Sequence, residues 1–330
     1  MKKVLIAILA VVALTACSAE NEINIPTPQG DEISFGTVDT RADANLSTLK
    51  ADGFGVWAYI TNYTVQNHLL MENQLVEYDE DKDEWFYSPV KYWLYDTKFS
   101  FIGVYPRAKF STDNENHGVT LTVSETPSAV DYLIATNETD TNDEYNSVVS
   151  MQFRHVLTSV GLKIWRDQGK HTNDQMRIKK VTLGNIRKSG VYSSATDTWK
   201  YNNDKLTHEV VNNTLSETDN IGAATLQDNG TLVTGGTPAE PFGTMMLLPQ
   251  ALDDSNVVSL KIVYELKRQN AADWEEAELE TVLPSITWNA GQRYTYNVVL
   301  SSVTDITVYY IQTKVDPWGT PQVGGTVIIK

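Results

Sequence analysis

Asp79, Asp81 and Asp83 in "YDEDKDEW" stand at the spacing of the first three ligands of a calcium-binding loop. Such a loop of the EF-hand kind also needs a glycine at its sixth position and a bidentate glutamate at its twelfth. Glu84 and Val90 occupy those places, so the run fails twice as a cation site and reads as an acidic, solvated hairpin tip between "QLVEY" and "EWFYSP". The histidines His68, His117, His155, His171 and His208 lie far apart, with no pair at metal-ligand spacing, and His155 reads as structural. The chain has no G-x-S-x-G elbow, no phosphate-cradling glycine loop and no H-E-x-x-H. Carboxylates for glycoside hydrolysis are plentiful, but nothing in their spacing selects a pair. The expectation is a protein without catalytic residues, metal or cofactor.

Two residues remain whose chemistry would be modification. Cys17 is the one cysteine, so a disulfide within the chain is unavailable. Before it, Met1-Lys2-Lys3 is a basic start, Val4 to Leu14 an apolar run too short to span a bilayer, and Thr15-Ala16 a small-residue approach. This is the pattern of an export signal. "LTAC" resembles the lipobox of bacterial lipoproteins, cut before a cysteine whose thiol carries diacylglycerol, so residues 1–16 are expected to leave and Cys17 to begin the mature chain. Two or three acyl chains, at about 0.8 kcal/mol per buried methylene, make a durable anchor. The second residue is Arg41, the single basic residue of "ISFGTVDTRADANL". Ile33 and Phe35 alternate with Glu32 and Ser34 as in a half-buried strand, whereas the polar residues around Arg41 read as exposed and flexible.

Charge narrows the partners. The full chain carries a formal net charge of −16, and loss of the leader with Lys2 and Lys3 makes the balance more acidic. Nucleic acid is excluded on that ground, and attachment to an anionic membrane surface falls to the lipid rather than to basic patches. A 41% hydrophobic and 10% aromatic composition excludes disorder for the bulk of the chain.

The elements that must position these residues have period two. "FGVWAYI" puts Phe54, Val56, Ala58 and Ile60 on one face; "VSLKIVYEL" does so with Val258, Leu260, Ile262, Tyr264 and Leu266, and "YTYNVVL" with Tyr294, Tyr296, Val298 and Leu300. "AADWEEAELETVL" has helix-forming composition, but Ala277, Leu279, Thr281 and Leu283 also alternate; a strand is the choice, because the preceding strand needs a partner and "RQNAAD" can turn. In "WFYSPVKYWLY", Trp85 and Tyr87 should face one way and Phe86 the other, which leaves rings either for a core or for stacking on sugars. "FRHVLTSVGLKIW" predicts one long strand with Val156, Thr158, Val160, Leu162 and Ile164 on one face. It comes after the polar loop "TNETDTNDEYN", so a boundary is expected near residue 150. The division is a tether at 17–30, a first β-sandwich at 31–150 and a second at 151–330.

In this order, "EWFYSPVKYWLYDTKFSFIGVYP", "FRHVLTSVGLKI", "MMLLPQ", "WNAGQRYTYNVVL" and "VDPWG" resemble segments of the fimbrillins, the subunits of type V pili, with Thr158 where the family usually has serine. The lipobox and Thr40-Arg41-Ala42 fit the same family at its start. The resemblance implies an all-β chain of two tandem transthyretin-like β-sandwich domains. It implies passage through the lipoprotein export machinery to the outer membrane, cleavage between Arg41 and Ala42 by an arginine-specific protease, and loss of the first strand, Ile33 to Val38. Other fimbrillin subunits would then join by β-strand exchange into a cell-surface fimbria contributing to adhesion. The donor would be the Ile306, Val308, Tyr310 segment or the final "TVIIK", unless both complete the second sandwich. Stalk, tip and anchor subunits share this framework. The alternative from another class is a lipid-anchored surface glycan-binding protein.

Overall fold

The computed structural model describes residues 30–37, 43–62, 65–140, 148–167, 173–211, 221–226, 232–300, 309–318 and 327–329. Cys17, Arg41, Ala42, Val38, Ile306 and Val308 lie outside these residues. The chain is all-β apart from one helix of ten residues and a single 3-10 turn among the described residues.

The first elements are β1 (Phe35–Thr37), α1 (Asp43–Asp52), β2 (Phe54–Thr61), β3 (His68–Asp79), β4 (Glu84–Phe86), β5 (Lys98–Tyr105), β6 (Phe110–Asp113), β7 (Gly118–Val123), β8 (Leu133–Asp140) and β9 (Val149–Met151). After them come β10 (Arg154–His155), β11 (Thr158–Asp167), β12 (Gln175–Arg187), β13 (Gly190–Ser193) and β14 (Thr198–Tyr201). The remainder is β15 (Lys205–Val211), β16 (Ala223–Leu226), β17 (Leu232–Gly235), β18 (Thr244–Leu247), β19 (Gln250–Leu252), β20 (Ser259–Lys267), β21 (Glu275–Val282), β22 (Ile286–Trp288), β23 (Gln292–Leu300), β24 (Tyr309–Pro317) and β25 (Val327–Ile329).

A six-stranded sheet in the order β10-β8-β5-β2-β3-β4 forms the centre of the first half. Its middle strand β2 is buried on both faces from Phe54 to Ile60, more than alternation alone predicts. Phe54, Val56, Ala58 and Ile60 enter one core with Ile33, Phe35, Trp93 and Phe101. Trp57 and Tyr59 enter another with Phe110, Leu121 and Tyr192. The second core is roofed by the sheet β14-β13-β7-β6. That roof joins residues on both sides of position 150, since β13 pairs antiparallel with β7 from Gly190↔Val123 to Ser193↔Thr120.

The later strands make a second pair of layers. One sheet runs β17-β16-β11-β23-β24-β25 with β18 also on β11, and the other runs β15-β12-β20-β21. Their shared core holds Leu260, Ile262, Tyr264, Leu266, Tyr294, Tyr296, Val298 and Leu300, the faces that the alternation marks. "AELETV" is a strand: β21 pairs antiparallel with β20 from Leu266↔Glu275 to Ser259↔Val282.

Two expectations need correction. "FRHVLTSVGLKIW" is two strands, because the chain changes sheets at Val156-Leu157: β10 pairs with β8, whereas β11 lies parallel to β23. Val156 and Leu157 fill the roofed core of the first half, and Val160, Leu162 and Ile164 fill the later one. The stretch after Arg41 is not an open linker from Asp43 onward, since α1 docks Leu49 at 1% exposure against the first core. Helices in proteins draw most of their stability from tertiary packing, which Leu49 gives α1 where its polar sequence does not.

Candidate functional site

The leading segment, residues 30–37, runs between two stretches of chain that belong to none of the larger sheets. On one side it is antiparallel to residues 91–93. Gly30 N donates to Trp93 O at 3.2 Å, Trp93 N to Asp31 O at 3.1 Å and Ile33 N to Lys91 O at 2.9 Å. Past Ser34 the other side takes over. Val149 N donates to Ser34 O at 2.8 Å, and β1 then lies parallel to β9 in the register Phe35↔Val149, Gly36↔Ser150, Thr37↔Met151. Among the described residues β1 is the one strand paired with β9.

The side chains obey the period-two pattern inward. Ile33 is 1% and Phe35 4% exposed. The Phe35 ring meets Phe101 edge-on at 5.8 Å, Tyr87 at 5.4 Å and Phe54 at 6.5 Å, spacings at which aromatic pairs add to simple burial. Tyr87 closes the seat with its hydroxyl, which donates to Ile33 O at 2.9 Å and accepts from Lys91 N at 3.1 Å. Burial pushes the Tyr87 phenol up to about 12, with the nearby Glu32 carboxylate adding to the rise. Gly36 sits where an added Cβ would come within 3.0 Å of Val148 Cγ1, so the slot narrows just after Phe35. A cleft of about 420 Å3 opens beside Phe35 and Gly36, between Val148, Trp85 and Lys50.

The helix α1, next along the chain, is fastened separately. Lys50 Nζ donates to Tyr78 Oη at 2.8 Å and lies 3.7 Å from Asp83, and Tyr105 Oη donates to Asp52 Oδ2 at 2.7 Å. Gly53 ends the helix with φ +71°, its N–H donating to Leu49 O at 2.8 Å. The leading segment and the helix therefore hold to the body by different contacts.

The other candidates resolve plainly. The acidic run is the β3–β4 hairpin tip, where Asp79 Oδ1 accepts the Asp81 and Lys82 N–H groups and Asp79 Oδ2 pairs with Lys82 at 3.1 Å. Asp83 turns instead to Tyr78 and Lys50, so the carboxylates do not converge. Among the described residues no three His, Cys, Asp or Glu side chains are placed to hold a metal. His155 is a packing residue: it lies 2.9 Å from Asp131 through Nδ1 and stacks on Trp318 at 4.1 Å and 2°. Trp85, Tyr87 and Trp93 pack inward while Phe86, Tyr92 and Tyr95 are exposed. Sequence reasoning missed Tyr87 as the closing group, the walls at 91–93 and 149–151, and α1. That Tyr87 faces away from Phe86 was legible, but which of the two faces is buried, and the partner at Ile33 more than fifty residues away, were not.

The family description "Fimbrillin-like" matches residues 40–318, and a prokaryotic membrane lipoprotein lipid attachment site matches residues 1–18. No curated protein matches the chain. Among solved structures, a fimbrial protein from Bacteroides vulgatus is similar over 87% of this chain and 99% of its own, with TM-score 0.64 and 18% identity, which establishes a shared fold. A protein from Bacteroides uniformis provisionally named for cell adhesion is 15% identical, with TM-score 0.46 over 87% of this chain and 98% of its own. Another so named, from Parabacteroides distasonis, is 9% identical, with TM-score 0.49 over 89% of this chain and 100% of its own. An all-β chain whose residues 40–318 match this description, and whose fold is that of a fimbrial protein, belongs to the fimbrillin-like family.

Proposed function

We propose that the chain is a structural, non-catalytic subunit of a cell-surface fimbria of the type V kind, contributing to adhesion, and that the seat of residues 30–37 is its assembly groove. In this reading Cys17 takes the lipid, the export machinery delivers the lipoprotein to the outer membrane, and an arginine-specific protease cuts between Arg41 and Ala42. The cut frees the leading segment while α1 stays fastened through Leu49, Lys50 and Asp52. A strand from a neighbouring subunit then fills the groove by β-augmentation.

The observation that carries the reading is the two-sided backbone seat. Residues 30–37 supply partners to 91–93 on one side and to β9 on the other, and plug the core with Ile33 and Phe35. Losing that segment would leave N–H and C=O groups unpaired above an apolar floor of Phe54, Tyr87 and Phe101. Burial of Ile33 and Phe35 is worth about 1.5–3 kcal/mol each, enough to block exchange while the link through Arg41 keeps their local concentration high. At the other end, β24 pairs with β23 along its whole length, whereas among the described residues β25 pairs with β24 at Val327, Ile328 and Ile329. Release of β25 breaks fewer bonds, which makes it the donor we favour.

The test is treatment of purified full chain with an arginine-specific protease, then unheated SDS electrophoresis and N-terminal sequencing. A new terminus at Ala42 together with ladders is expected, and Arg41→Ala should remain monomeric. Ladders from uncut Arg41→Ala protein, or a clean cut at Arg41 without assembly, would refute the reading.

A further inference from the structure

The cleft of about 420 Å3 beside Phe35 and Gly36 lies between β1 and β4. Among the described residues β1 pairs with β9 alone and β4 with β3 alone, so no ladder closes the space between them. Its walls are apolar. Trp85 and Leu46 are half-buried, and Val148 stands 59% exposed although its side chain is aliphatic. The charges at the rim are engaged with one another and with their neighbours. Lys50 Nζ lies 3.9 Å over the Tyr78 ring and 3.7 Å from Asp83, Asp83 meets the Tyr78 hydroxyl, and Glu84 is 3.6 Å from Lys82. Such a space favours an uncharged, aliphatic occupant.

The leading segment leaves this space open. Ile33 and Phe35 point into the core, so parity turns Ser34 and Gly36 the other way, and both line the cleft. An added Cβ at Gly36 would head for Val148 Cγ1, on one of the cleft walls. The segment therefore brings apolar side chains on one face only. The strand favoured above as donor differs. Val327, Ile328 and Ile329 are consecutive and all aliphatic, so β25 carries apolar residues on both faces. With Val327 and Ile329 in the places of Ile33 and Phe35, or two residues further along, Ile328 falls on the Ser34 and Gly36 side in either register.

We propose that this cleft is a selecting pocket of the assembly groove, filled by Ile328 from a second copy of the chain. The proposal rests on the fimbrial reading and adds the reason that exchange runs forward. The departing strand leaves the cleft vacant, and the arriving strand buries an aliphatic side chain in it. Until the cut, the leading segment holds its place as an incomplete occupant because its covalent link keeps the local concentration high. A strand with a polar residue at the middle position would fill the core pockets but not the cleft, so the cleft discriminates among donors.

The full chain in detergent solution would be cut with an arginine-specific protease, and ladder growth followed for wild type, Ile328→Leu and Ile328→Ser. Wild type and Ile328→Leu should form ladders at similar rates, and Ile328→Ser about 10-fold or more slowly, since a buried aliphatic side chain is lost. Loosening of β25 from its own β24 in that variant would act in the opposite direction. Ser34→Leu tests the cleft from the other strand. By filling it in advance, this change should keep the cut segment on the body about 10-fold longer, read by size-exclusion chromatography and mass spectrometry. If Ile328→Ser does not fold, as judged by circular dichroism, Ser34→Leu decides alone. Ladders from Ile328→Ser at the wild-type rate, or a Ser34→Leu segment released as fast as the wild-type one, overturn the pocket and leave the fimbrial reading standing. Wild type cut cleanly without ladders overturns both.

Discussion

Tyr87 joins the backbone of the leading segment to the backbone of the loop beside it through one hydroxyl. Tyr87→Phe keeps the ring against Phe35 but leaves Ile33 C=O and Lys91 N–H short of a partner. A loss of about 1–3 kcal/mol in urea unfolding is expected. The pH dependence has a definite sign. Tyr87, Tyr59 and Tyr105 are each pushed up to about 12, first by burial and then by nearby carboxylates, Glu32 for Tyr87, Asp113 for Tyr59 and Asp52 for Tyr105. An unfolded tyrosine ionises near pH 10. The raised folded value means that this stability is complete below about pH 10 and is lost as pH climbs towards 12. Absorbance at 295 nm should show phenolate appearing with unfolding, and the stability gap between wild type and Tyr87→Phe should narrow across that window. A constant gap would show that the hydroxyl is not held as described.

At the scale of elements, α1 is the fastener that separates what can leave from what must stay. Leu49 is its deeply buried side chain among those described, so Leu49→Ala should cost about 2–5 kcal/mol. Hydrogen exchange across residues 43–52 should rise in that variant more than across residues 33–37. Gly53→Ala tests the helix end. Its φ of +71° is costly for any side chain, and the added Cβ would come within 2.6 Å of Val76 O. A destabilisation above about 1 kcal/mol is expected, read from the urea midpoint. The leading segment should behave as a unit of its own. Phe35→Ala removes three edge-on ring contacts, but its cost is capped by the free energy of detaching residues 30–37 as a whole. Global stability should therefore fall by less than the ~3–5 kcal/mol of an ordinary buried Phe→Ala change, while exchange at residues 30–37 rises sharply.

For the whole molecule, the β13–β14 hairpin decides how the chain divides. It roofs the core built on Trp57, Tyr59 and Ile102, and Trp199 Nε1 donates to Val156 O at 3.1 Å. We propose that a boundary near residue 150 describes chain order, with this hairpin lent back to the first half. A fragment covering residues 30–150 should then show no cooperative thermal transition and no near-ultraviolet circular dichroism, because β7 would keep β6 but lose β13, and the core would lose Tyr192. A cooperative fragment would show instead that the first half is complete without the hairpin.

Much of this was legible in the residues themselves. Alternation at Val258–Leu266 and Tyr294–Leu300 specifies strands and their inward faces, because side-chain direction in a strand depends only on parity, whereas at Phe54–Ile60 it specifies the strand and which residues share a face but not that both faces are buried. The same rule placed Ile33 and Phe35 inward and turned Trp85 and Tyr87 away from Phe86. Tertiary structure alone decided which edges meet. That Phe35–Thr37 lies along Val149–Met151, that one strand breaks at Val156-Leu157 to change sheets, and that a hairpin from beyond residue 188 roofs the first core depend on pairings across long separations. Period-two patterns are identical for every possible partner, so register and neighbour are chosen only when the cores close.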